Sequence, residues 1–299
     1  MDATQVLRYY REHSVFTDPG KYAAFYEELP RDIPGLVRVV QGLLIPPYAA
    51  LLRNLYHVDP DEIDNEPFGP FGPRRIEDLI ERIQTRHAAP LSVERPPVLR
   101  IGVICRNYAV LLASMLRQQG ISARARVGFG GYFAPVYAVD HRITEYWHED
   151  QQRWVRVDSM IDGIRRADRK ITFDTLDITP ADPFWLAGEV WQRCRSGELD
   201  PQDFGDSDVD RGMPPIRYAL LHDFAYLNKC EVLGCDDWGE LISKPEADLT
   251  GADLALLDHI AAITMQADTH FEELRTLFAQ TAYGHAVRAQ ITFRVANVS

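Results

Sequence analysis

Cysteine is scarce in this chain of 299 residues: there are four, at Cys105, Cys194, Cys230 and Cys235. That is too few for a disulfide framework, so each thiol has to be judged by its neighbours. Long apolar runs are missing as well. The most apolar window, residues 35–55, is interrupted by Arg38, Gln41, Pro46, Pro47 and Arg53, whereas a membrane-spanning helix needs about 20 mostly apolar residues. The first dozen residues lack the basic start and unbroken apolar stretch of a secretory signal, and a cytoplasmic location is the expectation. Positive charge is in deficit: 32 Lys and Arg face 44 Asp and Glu, a formal net charge of −12. Such a field repels phosphate backbones and anionic lipid, which argues against nucleic acid or a membrane as partner.

What is present is the material of a globular protein. Hydrophobic residues make up 46% and charged residues 25% of the chain, which excludes disordered and fibrous classes. The length predicts two units or one enlarged domain. Apolar residues recur at helical spacing over residues 3–13, 20–29, 33–44, 46–56 and 75–87. Pro- and Gly-rich loops lie at 59–73 and around Pro90, Pro96 and Pro97. A helix follows over 105–119, with Ala109, Leu112, Met115 and Leu116 on one face and Gly120 as its stop. Alternation then predicts strands over 122–133, 142–148 and 153–160, the last two joined by the polar turn 149–152. Helices return over 183–196, 215–229 and 252–281, and 199–213 reads as an acidic loop. The expected fold class is α+β: a helix plus antiparallel sheet in a core at 98–175, flanked by helical regions at 1–97 and 176–299, or all one enlarged domain.

Cys105 opens the predicted 105–119 helix. Unpaired N–H groups and the positive end of the helix dipole stabilise a thiolate there, and the same groups can hold a developing oxyanion. A nucleophile needs a base, and the sheet offers His141 at the start of one strand and Asp158 near the end of the next. An even-numbered turn between these strands allows His141 and Asp158 to pair directly, and a slip of two residues keeps both on one face. Asp158 would orient the imidazole while its other nitrogen faces the thiol. The competing carboxylate, Asp140, points to the opposite face because adjacent strand residues do.

These residues stand within a wider pattern. Cys105-Arg-Asn-Tyr-Ala109 on a helix ending Gly120-Ile-Ser-Ala-Arg124, then His141-Arg-Ile-Thr-Glu145-Tyr-Trp147, then Trp154-Val-Arg-Val-Asp158, resembles the core of the transglutaminase-like superfamily of papain-type cysteine enzymes. The resemblance spans residues 100–162, with departures at Arg142-Ile143 and Ser159. It implies Cys105 as nucleophile, His141 as general base and acid, and Asp158 as orienting carboxylate. It also implies a papain-type core and acyl transfer or hydrolysis at an amide or thioester carbonyl through a thioacyl-enzyme, without metal or organic cofactor. The substrate would be a peptide, an amide or an acyl thioester, and the acceptor water or an amine. An amide-forming acyltransferase using thioester donors and a catalytically silent binding scaffold are the alternatives. The flanks, including Asp223-Phe-Ala-Tyr-Leu-Asn-Lys229 and Trp238-Gly239, are similar to bacterial stand-alone transglutaminase-like proteins.

Other residues carry lesser expectations. Arg124 and Arg126 share a strand face and are candidates to receive an acidic substrate group. Trp147 and Trp154 either pack the sheet or wall an acyl-binding groove. Glu145 and Arg156 are expected to form a cross-strand ion pair. Gly128, Gly130 and Gly131 read as a bend or bulge. Cys230 and Cys235, spaced Cys-x4-Cys, lack a second ligand pair of zinc-finger spacing and read as core thiols.

Overall fold

The computed structural model describes residues 3–64 and 72–296. Its helices in chain order are α1 (Ala3–Arg11), α2 (Ile33–Leu43), α3 (Ala49–Leu51), α4 (Ile76–Arg86), α5 (Cys105–Gln118), α6 (Gly163–Asp168), α7 (Ala187–Arg195), α8 (Met213–Leu227), α9 (Glu240–Ser243), α10 (Gly251–Met265), α11 (Phe271–Gln280) and α12 (Ala282–Ala296). The strands are β1 (Leu44–Ile45), β2 (Ile101–Gly102), β3 (Ala123–Gly130), β4 (Ala138–His148), β5 (Arg153–Val157), β6 (Phe184–Leu186) and β7 (Phe204–Gly205). This is the expected α+β class. The main sheet has the order β5-β4-β3-β6, with β7 on β4. Two compact units result, Leu7–Ala125 with Arg142–Asp182, and Met1–Val6 with Arg126–His141 and Pro183–Ser299. Strands β3 and β4 each run from one unit into the other. Among the described residues no helix is long and apolar enough to cross a membrane.

The first of these units is built on α5, which is buried from Cys105 through Arg117. Helices α2 and α4 pack against it. In α4 the buried residues Ile76, Leu79, Ile80 and Ile83 recur at the spacing that keeps one stripe on the core. Asp32 starts α2 by accepting the Gly35 N–H at 2.7 Å. Gly120, at φ +79°, ends α5 as expected, with the Ile121 N–H donating to the Leu116 carbonyl at 2.9 Å. Two expected helices differ. Residues 20–26 form a tighter 3-10 helix, and α3 widens into a π turn at Leu52–Tyr56, ended by left-handed His57.

The four-residue turn 149–152 also forms, with Gln152 at φ +49°. It sets Trp147 opposite Trp154 and Thr144 opposite Val157. Direct pairing of His141 with Asp158 is therefore replaced by a register two residues away, since residues 148 and 153 close the hairpin. The parity of the pairing is retained, so odd positions of β4 and even positions of β5 share a face. On that face Glu145 accepts from Arg156 at 3.2 Å, the expected pair, and from Arg124 at 2.8 Å.

In the other unit β6 runs antiparallel to β3, with Phe129 opposite Trp185, and β7 runs parallel to β4, with Ala138 opposite Phe204. Both strands fall where the pattern predicts helix or loop. They are only two or three residues long, and contacts such as Phe129–Phe204, 5.4 Å between ring centroids, hold them. A Cβ on Gly128 would run into the Trp185 carbonyl and Leu186 Cα, so the glycine serves close strand approach rather than a bend. Gly128→Ala is expected to cost about 1–3 kcal/mol in urea unfolding.

Helices α7, α8 and α10 pack on one another. Helix α8 is buried on nearly every side, so its sequence has no amphipathic stripe. The single helix expected over 252–281 is divided: α10 ends at Met265, and the chain turns at 266–270 before α11. The break lets Phe271, Leu274 and Phe278 be buried, with Phe278 edge-on to Phe224 of α8 at 5.3 Å.

Candidate active site

Cys105 is the first residue of α5 and is 7% exposed. The preceding Ile104 is extended and has no side-chain acceptor, so no N-cap side chain closes the N–H groups of the first turn. The entry to the helix is fixed from several directions. Strand β2 pairs with β1, and the Val103 N–H donates to the Ile45 carbonyl at 3.0 Å. Asn107 and Arg106, both fully buried, donate to the Pro73 carbonyl at 2.9 and 3.4 Å. Further along, the Ser114 hydroxyl donates to the Thr17 carbonyl at 2.6 Å, and Arg117 to the Thr17 hydroxyl at 2.9 Å. Periodicity alone does not single out Arg106 and Asn107; their signal is two polar residues in the first turn of a helix that is buried all round.

Asp158 follows β5 directly and is 1% exposed. Its N–H donates to the Thr175 carbonyl, and its Oδ1 accepts the Met160 N–H, both at 2.9 Å. The turn after it is braced from α6: Arg165 donates to the Met160 carbonyl at 3.0 Å and Arg166 to the Thr175 hydroxyl at 2.9 Å. Asp162 caps α6 on the Arg165 N–H at 2.8 Å and accepts the Tyr56 hydroxyl at 2.6 Å. Burial, then the Asp162 carboxylate, push the Tyr56 phenol far above its ordinary range, so it remains a donor.

His141 belongs to the other unit, whereas Cys105 and Asp158 share the first. It is the fourth residue of β4 rather than its start, because the strand begins at Ala138. The imidazole is 2% exposed. Its ring neighbours are Phe133 at 4.5 Å, Tyr132 at 6.2 Å and Phe184 at 6.5 Å between centroids. These aromatic rings restrict the orientations open to it.

Arg124 and Arg126 do meet carboxylates, but the protein supplies them. Arg124 pairs with Glu145 and lies 4.0 Å from the Trp154 ring centroid and 5.0 Å from that of Tyr10. Arg126 makes a two-pronged pair with Asp223 at 2.9 and 2.8 Å. Both arginines are buried. Trp147 packs edge-on to Trp154, with centroids 5.7 Å apart.

Of the other cysteines, Cys194 and Cys230 are buried and Cys235 is exposed, so Cys235 is not the core thiol expected. Burial pushes the Cys194 thiol up to about 11 and that of Cys230 up to about 12. Both stay protonated at mildly alkaline pH. Iodoacetamide is expected to label Cys235 there and spare these two, as peptide mass mapping would read out. Among the described residues no group of three His, Cys, Asp or Glu side chains is arranged to hold a metal ion.

Compared with known families, residues 82–159 match the transglutaminase-like superfamily. That stretch holds Cys105, His141 and Asp158. A solved structure, a candidate cysteine protease from Cytophaga hutchinsonii, is similar at 15% identity with a TM-score of 0.30, over 52% of this chain and 42% of that one. The similarity thus spans less than half the length of that protein. No curated protein matches the chain significantly.

Proposed function

We propose that the chain is a cysteine-dependent acyltransferase or hydrolase in which Cys105, His141 and Asp158 act as a triad. The observation that carries this reading is the position of Cys105 as the first residue of a buried helix, inside the stretch that matches the transglutaminase-like superfamily. His141 lies at an odd position of β4, and Asp158 follows β5 directly at the next even number, so strand parity supports a shared side for the two.

In this mechanism the Cys105 thiolate attacks an amide, ester or thioester carbonyl and a C–S bond forms. The carbonyl oxygen takes up the negative charge beside the first-turn N–H groups of α5. Collapse of the adduct breaks the bond to the leaving amine, alcohol or thiol, which takes its proton from the His141 imidazolium. Asp158 orients the ring and stabilises its charged form. Water or an amine, deprotonated by His141, then attacks the thioacyl group and Cys105 leaves as thiolate. The acid or amide is released.

Incubation with the phenylpropionyl thioester of N-acetylcysteamine, with and without butylamine, tests this reading. Peptide mass mapping is expected to find the phenylpropionyl group on Cys105, with faster turnover and an amide product when the amine is the preferred acceptor. Free acid alone identifies a hydrolase. Absence of acylation at Cys105, with no thioester consumed, points to a silent scaffold and overturns the proposal.

A further inference from the structure

The unit that holds His141 also contains a cavity of about 280 Å³, walled by Tyr137, Trp185, Arg193, Leu199, Asp203 and Phe204. The strand pairing fixes which side of the sheet it occupies. Phe204 lies opposite Ala138 and Trp185 opposite Phe129, and the Phe204 ring touches both Trp185 and Phe129. These residues share one face. Phe184 precedes Trp185 on β6 and so takes the other face, where its ring meets His141. The cavity is therefore separate from the surroundings of His141.

Its walls and charge define what fits. Trp185 and Phe204 meet edge to face at 88° with centroids 6.1 Å apart, and Tyr137 supplies a third ring to the wall. Asp203 stands exposed at the rim. Burial, then the carboxylates of Asp208 and Asp206, push the Tyr137 phenol up, so two more acids lie near that ring. The one cationic wall residue, Arg193, is already engaged by Glu189 at 3.1 Å and Glu198 at 2.8 Å. Arg211 sits 5.5 Å from the Tyr137 centroid, so the chain itself sets a cation on this ring.

An anion is excluded by this surplus of carboxylates. A primary ammonium needs acceptors for three N–H donors on several sides, whereas the wall offers the Asp203 carboxylate at the rim and aromatic rings elsewhere. A methylated ammonium has no such demand and is attracted by aromatic faces. We propose that this cavity binds a methylated ammonium group, held by the rings of Tyr137, Trp185 and Phe204 with Asp203 as counter-charge.

Calorimetric titration of the full chain with choline and with 3,3-dimethylbutan-1-ol, its uncharged isostere, tests the proposal without reference to catalysis. Choline is expected to bind roughly three- to tenfold more tightly than the isostere. Asp203→Asn, a change at an exposed position, is expected to weaken choline several-fold and leave the isostere unchanged. Trp185→Ala is expected to abolish both, and the several-fold weakening of choline by Asp203→Asn keeps the test decisive if that variant misfolds. Equal binding of the two ligands, no binding of either, or choline affinity indifferent to Asp203→Asn would overturn it.

Discussion

Cys105→Ala is expected to eliminate turnover of amide and thioester substrates, a loss on the order of 10⁴- to 10⁶-fold, because no other group supplies the nucleophile. The variant should still fold. Cys105 is a small side chain at the first position of α5, and Asn107, Ser114 and Arg117 anchor the helix further along. Cys105→Ser is expected to be nearly as inactive, since a hydroxyl is a far weaker nucleophile than a thiolate. The decisive comparison is turnover of the N-acetylcysteamine thioester against melting temperature for wild type and both variants. Loss of turnover with an unchanged melt is the expected outcome. Retained turnover in Cys105→Ala would mean that the chemistry, if any, lies elsewhere.

Asp223→Ala is expected to destabilise the protein by about 3–5 kcal/mol. Asp223 is fully buried and accepts both prongs of Arg126 and, in addition, the Val127 N–H at 2.9 Å. Its removal takes the carboxylate away from a buried guanidinium, and the contact of that group with the Thr264 carbonyl at 3.1 Å carries no opposite charge. Replacing both charges, Arg126→Met with Asp223→Leu, is expected to recover much of the loss. Urea unfolding followed by tryptophan fluorescence measures both. A loss below about 1 kcal/mol for Asp223→Ala would fit a surface pair and contradict the burial.

What was legible in the sequence is what short-range pattern encodes. The start of α5 at Cys105, its stop at Gly120, the turn 149–152 and the Glu145–Arg156 pair all follow from periodicity, glycine chemistry and strand parity. The hairpin register was missed by two residues because both registers keep the same apolar face inward, and only the turn closure at 148 and 153 separates them. Longer-range features left no such trace. Asp223 partners Arg126 across 97 residues, on a helix whose all-round burial erases any stripe. Strands β6 and β7 are too short for alternation to register, and the break between α10 and α11 reflects the burial of Phe271 and Leu274 rather than a proline or glycine. The acids that meet Arg124 and Arg126, Glu145 and Asp223, are not legible either, because alternation tells which face a side chain takes and not which acid awaits it there.

The pH dependence of Cys105 alkylation by iodoacetamide, in wild type and in His141→Ala, bears most directly on the triad. Exposed Cys235 serves as the reference thiol, and buried Cys194 and Cys230 as slow ones. A thiolate–imidazole pair predicts that Cys105 reacts at a pH well below the ordinary thiol range near 8.5, and that His141→Ala moves its profile upward. Labelling of Cys105 as slow as that of Cys194 and Cys230, and unchanged by the substitution, would contradict it.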